Sequence, residues 1–322
     1  MFVAVGERWM RWTLAEAGTK TASKILQKVI GVVSTTVAHT FFATLVVGLV
    51  QTISGLIVTR VRGTPILTDR QSIAGSCLFG FFAVISTVLS FSVFLFGGDI
   101  GVNVFIITLS IIPGALIDRF FFGKKLSWRE WLGVLVAILA GYSVLGWPSL
   151  SGVLALPLWV WLSFGVMCSV AINQGITQKV KKVDPFVKNF WGGLTTLVLC
   201  MIGVVALGSA KLFTDFSRPM QNLWLAAAIG GVIIVGMWSF NLMSYKAGAS
   251  IALKKLVMNG AYLITAMFAG VLLFKESFTI GKMVGIGLFT CSFILMDKGT
   301  WEFVSRLWSA KDPVVPLKQN ET

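Results

Sequence analysis

Eight long stretches of this chain carry no Asp, Glu, Lys or Arg: 29–59, 71–98, 100–117, 131–178, 189–210, 219–245, 256–274 and 283–296. A helix needs about 20 apolar residues to cross a bilayer's hydrocarbon core. Inside lipid every backbone N–H and C=O must be satisfied within the chain, so helices or closed barrels are the available solutions. Stretch 131–178 holds two such helices, with Gly146, Trp147, Pro148, Ser149, Ser151 and Gly152 as the break between them. Stretch 283–296 reaches span length by extending back through Phe278, Ile280 and Gly281, with Lys282 snorkelling outward. That makes nine spans. Charged residues are 12% of the chain, about half the usual share in a soluble domain. A water-soluble enzyme and a disordered chain are both excluded, and the expected class is all-α and polytopic.

A tenth span is open at the N-terminus. Glu7, Arg8, Arg11, Glu16, Lys20, Lys24 and Lys28 lie among Trp9, Met10, Trp12 and Leu14, and the three lysines recur at i, i+4 along one helix face. An amphipathic helix on the membrane surface fits this pattern. So does a polar span whose charged face lines an aqueous cavity. The segment lacks the compact apolar centre and small-residue site of a cleavable leader.

The net charge is +14. The basic residues fall between apolar runs, so the excess reads as membrane topology rather than nucleic-acid binding. With ten spans, seven of the 27 basic residues (Lys20, Lys24, Lys28, Lys211, Arg218, Lys275 and Lys282) fall on one side, and twenty fall on the side holding both termini. By the positive-inside rule both termini are then cytoplasmic in a multi-pass protein of the plasma (inner) membrane. Moving the N-terminal segment outside weakens the bias to 18 against 9. The tail from Trp301 to Thr322, with Pro313 and Pro316, is polar and expected to be partly disordered.

The two halves resemble each other at an offset of 152 residues. Phe120 to Ser127 (FFFGKKLS) faces Leu272 to Thr279 (LLFKESFT): a bulky apolar end, a charged turn, then a hydroxyl residue placed to cap the next helix. Gly133 faces Gly285, and residues 6–28 fall on 158–180, which favours a first span. A repeat of five spans inverts the second copy, an architecture common among secondary transporters. The expected organisation is a first repeat over 1–150, a second over 151–298, and a cytoplasmic tail over 299–322.

These two blocks resemble the EamA-type branch of the drug/metabolite transporter superfamily. Block 100–146 carries Pro113 mid-helix, the Gly123-Lys124-Lys125-Leu126-Ser127 turn, Gly133 and Gly141. Block 250–296 carries Lys275-Glu276-Ser277-Phe278-Thr279 before Gly285 and Gly287. Members of that branch usually show a Gly-Glu-x-hydrophobic-Ser/Thr turn at both places. Here lysine replaces the acid in the first copy, Lys275 precedes Glu276 in the second, Asn259-Gly260 stand near the position of the usual ninth-helix proline, and the first helix is unusually charged. The resemblance covers about residues 30–298. It implies ten helices in two inverted five-helix repeats and the transport of small solutes.

Polar groups at membrane depth are costly unless they face a cavity or a partner. Candidate solute-binding residues are therefore Asn103, Gln174, Trp238, Asn241, Lys255, Asn259 and Tyr262. Trp238, Asn241 and Tyr245 share a stripe at i, i+3, i+7 that suits a small organic solute, or equally an interfacial anchor. Lys254 and Lys255 read as a cytoplasmic positive anchor, or Lys255 as a cation for a carboxylate or phosphate, with Asn259 and Tyr262 on the turns beyond it. The offset places Lys255 opposite Asn103. Asn173, Gln174 and Gln178 either line a cavity or hold helices together. His39 is more simply a packed histidine than a proton-sensitive site. Glu16 and Asp118 are the acidic candidates for proton coupling, although Glu16 pairs with Lys20 at i, i+4.

With one histidine, no Gly-Lys-Ser/Thr phosphate loop, no HExxH and no GxSxG, no enzyme signature or cofactor site is legible. The expected function is secondary transport of small polar or anionic metabolites, or export of drug-like compounds, by alternating access. The alternatives are a non-transporting membrane scaffold or partner subunit, and a flippase for a lipid-linked sugar. The expected partners are membrane lipids and a small-molecule solute, with homo-oligomerisation open and no nucleic acid.

Overall fold

The computed structural model describes residues 2–122, 127–180, 183–247, 251–296 and 298–309. Among these the chain is helical with no strand. The helices are α1 (Phe2–Val33), α2 (Val37–Val61), α3 (Arg70–Leu95), α4 (Ile100–Thr108), α5 (Ile111–Phe122), α6 (Trp128–Val144), α7 (Leu150–Leu154), α8 (Leu158–Lys179), α9 (Pro185–Ala206), α10 (Arg218–Lys246), α11 (Ile251–Phe274), α12 (Ile280–Met296) and α13 (Lys298–Ser309), with a 3-10 turn at Ala210–Phe213.

Six helices are long and apolar enough to cross a membrane, or seven if the pair α12 and α13, bent by 94°, forms one span. This is fewer than the ten expected, for three local reasons. Helix α1 is diluted by its charges. Helices α6 and α12 have only 17 residues each. Stretch 100–117 is interrupted: α4 stops after nine residues, and Pro113 lacks the N–H that would bond the Leu109 carbonyl. That carbonyl instead accepts from Ile112 in a tight turn at 2.9 Å. The first part of the expected polar tail, through Ser309, is helical and belongs to α13. Residues 310–322 lie outside the described residues.

Local signals set several boundaries where the sequence places them. Gly146 (φ 80°) and Trp147 (φ 56°) turn the chain left-handedly after α6, Ser149 caps α7, and Pro157 precedes α8. Ser127 caps α6 in a capping box with Glu130. The Thr279 hydroxyl accepts from the Lys282 N–H at 3.3 Å at the start of α12.

Helix α2 packs on α9, α6 on α12, α1 on α10, and α3 on α8. Helix α3 also packs on α9, α2 on α10, α1 on α11 and α3, and α4 on α11 and α8. Glycines let the backbones approach at these crossings. A methyl group placed at Gly55 would lie 2.8 Å from the Phe186 carbonyl oxygen, and one at Gly193 would lie 2.8 Å from the Thr52 nitrogen. The main apolar core joins α1, α4, α6, α8, α11 and α12 through Ala17, Val104, Phe105, Ala137, Val160, Tyr262 and Phe289.

The first helix packs against α10, α11 and α3, with Leu14 and Val32 on an exposed face. It runs parallel to α11 over much of its length: Lys20 meets Met258, Thr21 meets Thr265, and Lys28 meets Glu276.

Candidate functional site

The charged face of α1 is turned inward and forms a polar lane through the bundle. At its lower end Glu16, only 1% exposed, accepts the Lys20 ammonium at 3.4 Å. Lys20 also reaches the Met258 sulfur of α11 at 3.0 Å. Next to Lys20, the Thr21 and Thr265 hydroxyls share a hydrogen bond of 2.6 Å. Lys24 follows, 4% exposed. Its ammonium donates to Gln27 Oε1 at 2.7 Å and to Ser90 Oγ of α3 at 3.3 Å, and lies 5.5 Å from the centre of the Phe94 ring. Gln27 in turn donates to Ser23 Oγ at 3.4 Å.

The upper end of the lane is closed by two ion pairs. Lys28 meets the Glu276 carboxylate, and its ammonium also lies over the Phe274 ring, 4.7 Å from the centre. The same carboxylate accepts the first free backbone N–H groups of α4, from Ile100 at 2.7 Å and Gly101 at 3.3 Å. A helix N-terminus favours an anion there, because unpaired N–H groups and the helix dipole point at it. Beside it Lys282 donates to Asp99 Oδ2 at 2.8 Å and to the Ser277 carbonyl at 2.7 Å, while Asp99 caps α4 by accepting from Val102 at 2.8 Å. A cavity of about 550 Å³ opens at this end, lined among others by Asp99, Ser143, Trp147, Trp159, Thr279 and Lys282.

The left-handed Lys275 (φ 55°) aims Glu276 at this junction. Helix α11 ends at Phe274, Lys275 reverses the chain, and the Glu276 N–H returns to the Gly270 carbonyl at 3.1 Å.

Three of the seven candidate residues have described side chains. Asn103 is fully buried on α4 and donates to Ser163 of α8 at 2.8 Å, while its Oδ1 has no hydrogen-bond partner among the described residues. Tyr262 is buried on α11, on the stripe that also carries Met258 and Thr265 toward α1, and Asn259 beside it is half-buried. Because α4 packs on α11 and the core around Val102 and Val104 includes Tyr262, these positions belong to one region. Gln174, Trp238, Asn241 and Lys255 fall on α8, α10 and α11, but their side chains lie outside the described residues. So do the side chains of Gln178, Tyr245, Lys254 and Asp118.

Other polar residues are also placed. The Asn173 side-chain oxygen on α8 is buried without a hydrogen-bond partner among the described residues. His39 sits in the first turn of α2 and shares a 2.8 Å hydrogen bond with Thr36, away from the lane. Lys188, counted from the sequence as a loop charge, is a buried residue of α9 that donates to Thr177 at 2.7 Å and lies 3.7 Å from the centre of the Phe79 ring. Lys20, Lys24, Lys28 and Lys282 likewise lie on helices and reach partners on other elements. Sequence reasoning gave no binding role to Lys24, Glu276 or Lys282. The i, i+4 spacing of Lys20, Lys24 and Lys28 was the available signal, and it fitted a surface helix equally well.

No family model and no curated protein matches this chain. Among solved structures, one crystal structure of a protein superposes with a TM-score of 0.57 at 13% identity, covering 89% of this chain and 98% of that one. At that identity the likeness concerns the fold alone.

Proposed function

We propose that the chain is a secondary membrane transporter of small polar or anionic metabolites, built as ten spans in two inverted five-helix repeats and working by alternating access. The observation that carries this reading is the pattern of helix neighbours. Let α4 and α5 count as one span and set the short α7 aside. Moving each span five places along the chain then turns the α1–α10 contact into α8–α3, α3–α9 into α10–α2, and α1–α11 into α8–α4. The pairs α2–α9, α6–α12 and α4–α11 map onto themselves. The contact of α1 with α3 has no comparable counterpart between the described residues of α8 and α10.

The self-mapped pairs supply the direction of the symmetry. In α2–α9, Gly48 lies by Leu197 and Gly55 by Phe190, so the two helices run antiparallel. A two-fold axis that exchanges antiparallel neighbours lies across the helices, not along them, and so turns one repeat upside down in a membrane. Under this reading α1, parallel to α11 and coextensive with it, is the first span. Both termini face the cytoplasm, and the ion-paired end at Asp99, Glu276 and Lys282 faces away from it. The resemblance to EamA-type transporters is in keeping with the same arrangement.

Charges buried along α1 support a polar or anionic solute, since ionisable groups at membrane depth are expensive and mark solute or ion pathways. The test is counterflow in proteoliposomes, with a panel of labelled carboxylates, phosphate esters, amino acids and sugars. Protein-dependent exchange of at least one class is expected. No flux of any class in either direction would overturn the transport reading.

A further inference from the structure

We infer that Lys24 is the group that holds the solute, and that the solute is a small organic anion bearing a carboxylate or phosphate. This deepens the transport reading and rests on it. The three inward lysines of α1 are one helical turn apart, yet they are not equivalent. Lys20 has Glu16 and Lys28 has Glu276. Lys24, between them, meets only neutral partners among the described residues: the Gln27 amide oxygen, the Ser90 hydroxyl and the Phe94 ring.

An ammonium taken out of water loses its hydration, and amide and hydroxyl oxygens return only part of that loss. The two carboxylates of the lane are committed to the neighbouring lysines, so no carboxylate among the described residues is left for Lys24, and an incoming anion would supply the compensating charge. A carboxylate or phosphate supplies it with charge-assisted hydrogen bonds. Position agrees. Lys24 lies nine residues before the end of α1 at Val33, about 14 Å along the axis, or roughly half of a hydrocarbon core about 30 Å thick. Alternating access requires the solute site at that depth. The surroundings also suit a ligand group, because the Gln27 amide and the Ser90 hydroxyl carry donors that can turn to an arriving anion.

The probes are sodium phosphate and sodium succinate, added to the full chain in nanodiscs of neutral phosphatidylcholine, with sodium chloride at matched ionic strength and glucose as controls. Binding to the folded form raises Tm by mass action. Phosphate or succinate is expected to raise the Tm of the wild type, and chloride and glucose are not. Lys24→Met is expected to weaken that response at least about tenfold, and Lys24→Arg to keep most of it. Without ligand, Lys24→Met is expected to melt at or above wild type, because it removes a buried charge that has no counter-charge among the described residues. If Lys24→Met does not assemble, Lys24→Gln carries the same test. An unresponsive wild type, or an undiminished response in the neutral variant, overturns the inference. A Tm rise produced by phosphatidylglycerol in the nanodisc, lost in Lys24→Met and not reproduced by soluble anions, assigns the site to a lipid headgroup and overturns it too. Counterflow separates the two levels. Neutral-solute flux that Lys24→Met leaves unchanged sinks this inference alone. Anion binding without any flux sinks the transport reading and leaves Lys24 as an anion site.

Discussion

Gly133 and Gly285 make reciprocal contacts where α6 crosses α12. A methyl group at Gly133 would lie 3.1 Å from the Ser292 carbonyl oxygen and against Met296, and one at Gly285 would lie 3.2 Å from the Ala140 carbonyl oxygen and against Val144. Each residue in the first contact has its counterpart in the second 152 positions away: 133 with 285, 140 with 292, 144 with 296. The helix bounds keep the same offset, Trp128–Val144 against Ile280–Met296. Hydroxyls tie the crossing from both chain halves, with Ser292 donating to the Gly133 carbonyl at 2.7 Å and Ser143 to the Gly281 carbonyl at 3.0 Å. Close backbones of this kind do not admit a larger side chain. Gly285→Leu is expected to destabilise the folded protein by about 2 kcal/mol, and Gly133→Leu by a similar amount. Chemical unfolding in mild detergent reads both. A leucine at either site that leaves the midpoint unchanged would mean that the two helices do not meet there.

The Lys28–Glu276 pair joins α1 to the turn after α11 and, through Ile100 and Gly101, to the start of α4. Both side chains are largely buried, so removing one partner leaves the other without its charge. Lys28→Met is expected to cost about 3 kcal/mol. Adding Glu276→Gln should recover a good part of that loss, because the amide oxygen can still accept from Ile100 while no lone charge remains. The double-mutant cycle checks this. Additive losses in the double variant would mean that the two side chains do not interact.

What the sequence made legible divides by the range of the forces involved. The α6–α8 break at Gly146, Trp147 and Ser149, the Ser127 cap and the Gly133–Gly285 correspondence are local or repeated signals, and they sit where the sequence puts them. The interior placement of Lys24 is not local. Its i, i+4 spacing is the same on a surface helix and on a buried one, and only Ser90 and Phe94, brought from α3, distinguish the two. Glu276 reads along the chain as one charge in a turn, because its partners Lys28 and Ile100 are 248 and 176 residues away. Asn103 was legible as a costly buried amide, but its partner Ser163 was not. Apolar runs gave the positions of the helices well. Run length does not reveal the interruption at Leu109 and Ser110, which divides stretch 100–117 into α4 and α5.

Asp69 links α3 to pH. Its carboxylate accepts from Ser72 at 2.9 Å at the N-terminus of the helix, and this hydrogen bonding holds it below the usual aspartate value. A carboxyl whose folded value is depressed stabilises the fold above its unfolded value, near 3.9, and the contribution disappears as pH falls through the folded value. Wild type is therefore expected to melt higher than Asp69→Asn at neutral pH, by a gap that is constant above about pH 5 and closes below about pH 4. Melting curves across that range decide it. A gap that persists unchanged in acid would remove the carboxylate charge as its source.

Lys275 holds a left-handed backbone conformation (φ 55°) at the reversal that delivers Glu276 to α4. A side chain in that region crowds its own backbone, and glycine does not. The lysine side chain is exposed, so nothing in its surroundings offsets the strain. Lys275→Gly is expected to stabilise the protein by about 1 kcal/mol while leaving the Lys28–Glu276 pair in place. Unfolding of Lys275→Gly and of Lys275→Ala should then rank glycine above alanine and lysine. If alanine equals glycine, the turn does not adopt the left-handed conformation, and the route by which Glu276 reaches the start of α4 has to be drawn differently.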